Sequence, residues 1–414
     1  MVPAVSILVS SFERPFHLMR VLASIAAQRN VEKQFEVIVT DDGSQDSTES
    51  VVREFARGAR FPVSFVTHRH DGFQLARCRN QGARASRAPY LLFSDGDCLL
   101  PPDHVYQHLR RRQRGTVFGS YCICLDRETT ERINLSSVSS GSFLTQGSSR
   151  ERFKLWKLGM KSRMYSLLRH PSKPRLFGGN VGIYDDDFCR INGYDETFQG
   201  WGCEDDDLRI RLRMAGIRIE SILPWTHTYH LWHPPTDSAP STWSLGNNVR
   251  LIQKPTRLQR CLQGRAKRSW RHVKVNIAGD ALTVAEIQRR MCMMTVVDAS
   301  RAEIEVIAWP TNQRFAAGAD CKILVAPRHS EDQVDAGLLG TAHAFVSSVA
   351  GKRANRRVPR FDNLDEALEA TVGLTLPRAE LRTEAVFEKT QLRRANQRQT
   401  VILPLAKSTS KRAA

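Results

Sequence analysis

YLLFSDGDCLLP, residues 90–101, runs from a short apolar stretch straight into two carboxylates, Asp95 and Asp97, with one glycine between them. A short apolar run stopped by Asp and Gly reads as a buried strand that ends in polar chemistry. Three runs of the same kind precede it: AVSILVS (4–10), FEVIVT (35–40) and VSFVT (63–67). Between and after them lie helical patterns at Phe16–Gln28, Ser44–Phe55 and Gln74–Ala85, with PPDHVYQHLRRR (101–112) following. Strand–helix alternation with apolar strands predicts an α/β fold around a buried parallel sheet. Ligands in such folds bind outside the carboxyl ends of the strands. Ser10, Asp41, His68 and Asp95 fall there.

Four clusters carry candidate chemistry. VIVTDDGSQDST (37–48) places Asp41 and Asp42 after the second strand, where a carboxylate can accept from a base N–H. Helix capping by Ser44, Asp46 and Ser47 is the structural alternative. Asp95-Gly96-Asp97 can grip a divalent ion and a ribose edge together. FQGWGCEDDDLRIRLRMAG (198–216) sets Glu204, Asp205, Asp206 and Asp207 at a helix start. Capping and the helix dipole account for one or two acids there, not four. Crowded carboxylates raise one another's pKa, which suits a general base. His227, His230 and His233 in HTYHLWHPP (227–235) are metal-ligand candidates, of which at most one is expected to ligate.

Of the 414 residues, 41% are hydrophobic and 25% charged, so neither a disordered nor a fibrous chain fits. No run of 18 uncharged apolar residues marks a spanning helix. Residues 1–10 have no basic n-region, so no signal peptide is expected, and the nine scattered cysteines suggest a reduced, cytoplasmic protein. Lys and Arg outnumber Asp and Glu by 61 to 43, a net +18 that suits an anionic partner. A dehydrogenase is disfavoured because SSFERP, not G-x-G-x-x-G, follows the first strand. No nucleic-acid motif accompanies the charge, and no specific nucleic acid is expected.

The motifs together resemble family 2 glycosyltransferases of GT-A fold. VSILVSSFERP (5–15), VIVTDDGS, HDGFQLARCRNQGARAS (70–86) and YLLFSDGDCLLP are similar to the nucleotide-sugar half. GGNVGIYDDDFCRINGYDETFQGWGCEDDDLRIRL (178–212) resembles the C-terminal motif of the galactosyltransferase group and of bacterial chondroitin-polymerase-like enzymes. HLWHPP (230–235) is similar to members serving bacterial envelope glycans. The resemblance implies nucleotide contacts from Ser10, Phe12, Glu13, Asp41, Arg79, Asn80 and Asp95. Donor or acceptor contacts fall to Gly178, Gly179, Asn180, Trp201 and Asp206, and Asp205 is the implied base beside Glu204. Mn²⁺ or Mg²⁺ would sit on Asp95, Asp97 and His230 or His233. Ser10-Ser11 departs from the family's usual Pro-Thr. The implied activity is inverting, metal-dependent transfer from a nucleoside-diphosphate sugar, UDP-linked by preference, to a glycan or lipid-linked hydroxyl in envelope polysaccharide synthesis. A non-catalytic glycan- or nucleic-acid-binding protein on a degenerate transferase fold is the alternative.

Residues 1–125 then form the nucleotide-sugar half and 176–240 the acceptor half of one domain. Residues 126–175 hold a loop, SSVSSGSFLTQGSS, and a basic segment, Arg150–Arg175, with nine Lys or Arg against one Glu. Phe153, Trp156, Met160, Met164 and Leu167 recur there at helical spacing. The stripe either packs on the core or rests, as a lid, on the inner membrane face, in which case the protein is peripheral to that membrane. Residues 241–414 form a region of unknown role with strand-like IEVIAW (304–309) and CKILVA (321–326), helical DNLDEALEAT (362–371) and a frayed SKRAA tail.

Overall fold

The computed structural model describes residues 2–31, 34–168, 170, 173–235, 239–292, 294–349 and 357–376, and the backbone of 401–404. The SKRAA tail and Arg169, Pro171 and Ser172 of the basic segment lie outside these. The chain divides into two compact units, residues 1–249 with 394–414, and residues 250–393.

The first unit is built on the strands β1 (Val5–Ser11), β2 (Phe35–Asp41), β3 (Val63–Thr67) and β4 (Tyr90–Asp95). They pair in parallel in the order β3-β2-β1-β4. Every residue of β1 and β2 is buried, as a sheet covered on both faces requires. Odd positions of β1, Val5, Ile7 and Val9, join one apolar cluster with Leu18, Val21, Leu22 and Ile25 of α1 (Pro15–Ala26). Leu8 points the other way, into a cluster with Ile38, Val66, Phe93 and Ala83. Pro15 opens α1 because its missing N–H would have no helical partner there. The helices α2 (Thr48–Gly58), α3 (Leu75–Ala85) and α4 (His104–Arg111) complete the expected alternation.

Beyond β4 the sheet stops being parallel. The short β5 (Cys98–Leu99), β6 (Thr116–Gly119) and β7 (Cys122–Cys124) lead through α5 (Arg127–Arg132) and α6 (Leu135–Ser140) to the basic α7 (Ser149–Leu167). Next comes β8 (Asn180–Tyr184), which runs antiparallel to both β4 and β6. After α8 (Asp185–Arg190) and α9 (Glu204–Met214), β9 (Arg218–Ser221) joins β6 at the edge, and β10 (Thr228–His230) lies between β5 and β7 in a separate small sheet. At the opposite edge Val401–Pro404 pairs antiparallel with β3. Asn180 is thereby placed beside Ser94, one residue before Asp95.

The second unit, which begins within the short helix Val249–Ile252, is itself α/β, as expected for this region. Among its described residues the strands are Lys274–Gly279, Thr295–Val296, Ile304–Ala308, Cys321–Val325, Ala344–Val346 and Arg360–Phe361, and these pair in parallel. Val275, Ile304, Val306, Ile323 and Leu368 centre its core. Among the described residues no helix is long and apolar enough to cross a membrane.

The amphipathic stripe of α7 does not pack on the core. Its large residues stand exposed, while Leu155, Gly159 and Ser162 are the buried ones.

Phe93 packs its ring 5.3 Å from that of Phe188 and 5.6 Å from that of Tyr194, under the strand end that carries Asp95. Phe93→Ala should cost about 3–5 kcal/mol, read as a lowered urea midpoint at unchanged slope.

Candidate active site

Arg79 on α3 is 2% exposed, yet carries a full charge into the carboxyl end of the sheet. Its guanidinium answers three carboxylates. Nη2 donates to Asp95 Oδ1 at 3.2 Å, and Nη1 donates to Asp205 Oδ1 at 3.0 Å and to Glu204 Oε1 at 3.3 Å. The Tyr194 ring lies 5.0 Å from its carbon centre. The backbone of Gly178 crosses so close that a Cβ there would stand 1.9 Å from Nη2. Gly178 N–H donates to Asp205 Oδ2 at 2.8 Å, and a Cβ on Gly179 would meet Asp95 Oδ2 at 2.9 Å. The Gly-Gly pair therefore lets one chain segment pass against both acids.

Burial raises the Glu204 carboxyl to about 7, with the negative charge of Asp205 adding to it and Arg79 opposing it. Burial also pushes Asp95 up, against the pull of Arg79. The four acids at the start of α9 do different work. Glu204 and Asp205 face Arg79, Asp206 accepts from Arg209, and buried Asp207 accepts from Arg211 Nε at 2.6 Å. Arg211 also donates to the carbonyls of Ile191 and Gly193, so Asp207 is structural.

Asp97 heads a second group. His233 Nε2 lies 3.2 Å from its Oδ2 and His230 Nε2 3.7 Å from its Oδ1, and Arg14 donates to Oδ2 at 3.1 Å. Burial opposes ionisation of Asp97, but His233, His230 and Arg14 hold it below the usual carboxylate range. Its hydrogen bond to Asp97 raises His233. One carboxylate oxygen and two imidazole nitrogens within 4.8 Å of one another fit a divalent cation. The end of β10 and the turn after it bring His230 and His233 together at Asp97.

Asn180 is oriented by histidines that the motifs did not mark. Its Oδ1 lies 3.2 Å from His104 Nε2 and 2.9 Å from His108 Nε2, and its amide donates to Ser120 Oγ at 2.7 Å. An amide oxygen only accepts, so both imidazoles donate. Burial lowers both, His108 to about 4, so each is neutral and holds one proton.

One cavity of about 470 Å³ collects Ser10, Phe12, Arg79, Asp95, Asp97, Gly178, Gly179, Asn180, Trp201, Glu204, Asp205, Asp206, His230 and His233. Three expected contacts lie outside its lining. Asp41 is buried and accepts from Gly43 N, Ser44 N, Ser44 Oγ and Thr67 Oγ1, so it builds its own turn. Asn80 is buried and clamps the Tyr194 backbone. Glu13 is exposed, with a φ of 45°. His68 is also turned inward, between Asp42 and Gln81, and His227 lines a different cavity. Asp42, named with Asp41 in the second-strand motif, does line the site, and so does Arg14, which was missed although it adjoins the helix-opening Pro15. The Phe12 ring stacks on His70 at 4.4 Å.

Residues 6–174 match the model of glycosyl transferase family 2, and residues 160–234 match a model described as the N-terminal domain of galactosyltransferase. A validoxylamine A glucosyltransferase of Streptomyces hygroscopicus subsp. limoneus is 31% identical over 268 residues, covering 61% of this chain and 57% of that protein. A chondroitin synthase of Escherichia coli is 26% identical over 270 residues, 61% of this chain and 38% of that protein. A hyaluronan synthase of Pasteurella multocida is 26% identical over 260 residues, 59% of this chain and 26% of that protein. The chain thus spans less than two thirds of the length of these relatives.

Because Glu204 is raised, the folded protein holds a proton between pH 4.5 and 7 that the unfolded chain releases. Stability should therefore fall as pH rises through that window. Glu204→Gln should flatten this fall by about 1–3 kcal/mol in denaturant titrations from pH 5 to pH 8. Gly178→Ala should displace Arg79 and lower the melting temperature by several degrees, since a Cβ there overlaps the guanidinium.

Proposed function

We propose that this chain, which carries a family 2 glycosyltransferase region continued by a galactosyltransferase-type one, transfers a sugar from a nucleoside-diphosphate sugar to a hydroxyl of a glycan or lipid-linked acceptor, with inversion at the anomeric carbon. The observation that carries this reading is the convergence of two acid groups in one cavity, Asp95–Asp97 with two histidines and Glu204–Asp205, tied together by Arg79. A bare binding module has no need of a carboxyl held near neutrality beside a second acid.

The nucleotide lies along Ser10, Ser11, Phe12 and Asp42 at the ends of β1 and β2, with Phe12 and His70 as a stacking surface for the base. Asp95, Gly179 and Asn180 face the donor sugar. Trp201, 44% exposed at the cavity edge, and Asp206 face the acceptor. Asp205 is the base: its side chain is 22% exposed against 9% for Glu204, and Gly178 N–H and Arg79 fix its direction. The acceptor oxygen bonds to the anomeric carbon as that carbon's bond to the diphosphate oxygen breaks. The acceptor proton passes to Asp205, and the nucleoside diphosphate leaves. Asp97, His230 and His233 would hold a divalent cation, which supplies positive charge opposite the leaving diphosphate. Two imidazole nitrogens favour Mn²⁺ over Mg²⁺. A UDP-sugar donor, the cytoplasm as the place of action and a role in envelope polysaccharide synthesis complete the proposal.

A thermal-shift panel of nucleoside diphosphates tests it. UDP should stabilise the protein with Mn²⁺ present and much less without, and Asp97→Asn should abolish that linkage. Asp205→Asn should keep it while transfer falls about 10²–10⁴-fold. Nucleoside diphosphates without effect, or equal loss of donor binding and turnover in Asp205→Asn, would overturn the reading.

A further inference from the structure

The helix α7 presents to solvent what an ordinary surface helix hides. Leu167 is 84% exposed, Trp156 62%, Phe153 59%, Met160 54% and Met164 48%. These five follow one another at spacings of three, four, four and three, so they form one stripe along the helix. The buried residues Leu155, Gly159 and Ser162 lie off that stripe. Phe153 and Trp156 stack their rings 5.8 Å apart on the exposed side.

The charges are placed around that stripe. At about 100° per residue, Arg150, Lys154, Lys157 and Lys161 fall along one flank, and Arg152 and Arg163 along the other. Glu151, the helix's one acid, is paired with Lys154. An apolar ridge with cations on both sides matches the boundary of an anionic bilayer. Aromatic and aliphatic side chains enter the acyl region there, and lysines meet phosphates. It does not suit a second copy of the same face, which would set like charges against each other across the apolar contact. Beneath Trp156 and Met160 lies a cavity of about 370 Å³, floored by Leu155, Gly159 and Leu223 and lined also by Arg152 and Arg163. It offers an acyl chain end apolar space beside two guanidiniums.

We propose that the outward face of α7 seats on an anionic phospholipid surface. The seat stands without the glycosyl-transfer reading; only its use, bringing the active site to a lipid-linked acceptor, rests on that reading.

Cosedimentation of the full chain with vesicles tests the seat. The wild type should pellet with phosphatidylcholine vesicles containing about a third phosphatidylglycerol at low salt, and remain in solution with phosphatidylcholine alone. Lys154→Gln, Lys157→Gln and Lys161→Gln together should weaken binding on the order of a hundredfold. Trp156→Glu with Met160→Glu should abolish it. Both variants should keep the wild-type circular dichroism and the Mn²⁺-linked UDP stabilisation, which separates failure of the seat from failure of the transferase reading. A wild type that stays in solution with anionic vesicles overturns the proposal. So does light scattering that shows a dimer broken by Trp156→Glu, because the stripe would then be covered by protein.

Discussion

One buried cation sets the geometry of this site. Arg79 comes from α3, Asp95 from the end of β4, and Glu204 and Asp205 from the start of α9, so three distant segments meet on one guanidinium. Three carboxylates this close would repel one another, and burial pushes Asp95 and Glu204 up. A planar fork that is always charged holds them with fixed directions, which a lysine ammonium cannot do. Removing it would leave uncompensated charge in the interior, at a cost of about 3–5 kcal/mol. The glycines at 178 and 179 follow from the same constraint, since any side chain there would enter the space that Arg79 and Asp95 occupy.

With Arg79 in place the two halves of the site divide their labour. Asp97 gathers His230, His233 and Arg14 in one group, the one proposed to hold a divalent cation. Glu204 and Asp205 form the other end, where one acid is held near neutrality and its neighbour faces the cavity. Between them, Asn180 keeps its orientation because two neutral imidazoles donate to its amide oxygen and its amide nitrogen donates to a serine. The antiparallel β8 carries Asn180 to the end of β4, so the break in the parallel sheet is what joins the halves.

Much of this was legible in the residues. The run of β1–β4 with their helices shows because fully buried strands are nearly all apolar and stop abruptly at Ser, Asp or Gly. Asp95, Asp97, Glu204, Asp205 and both histidines stand out as polar groups in motifs too dense for capping. What stayed hidden depends on partners far along the chain. That Arg79 also meets Glu204, 125 residues later in the chain, is not visible in its own motif. Asp41 and Asn80 carry the right chemistry but spend it on turn and backbone. In α7 the spacing defines a stripe without saying which side faces the body. The burial of Leu155, Gly159 and Ser162 shows which.

The geometry points to Arg79 as the residue that positions the acids, with the nucleotide held elsewhere. Steady-state kinetics of Arg79→Lys with a varied nucleotide-sugar donor tests it most directly. A lysine keeps the charge but cannot reach three carboxylates, so kcat should fall about 10²-fold or more while donor KM changes only a few-fold. A donor KM that rises in step, with kcat nearly unchanged, would contradict the claim and make Arg79 a diphosphate ligand.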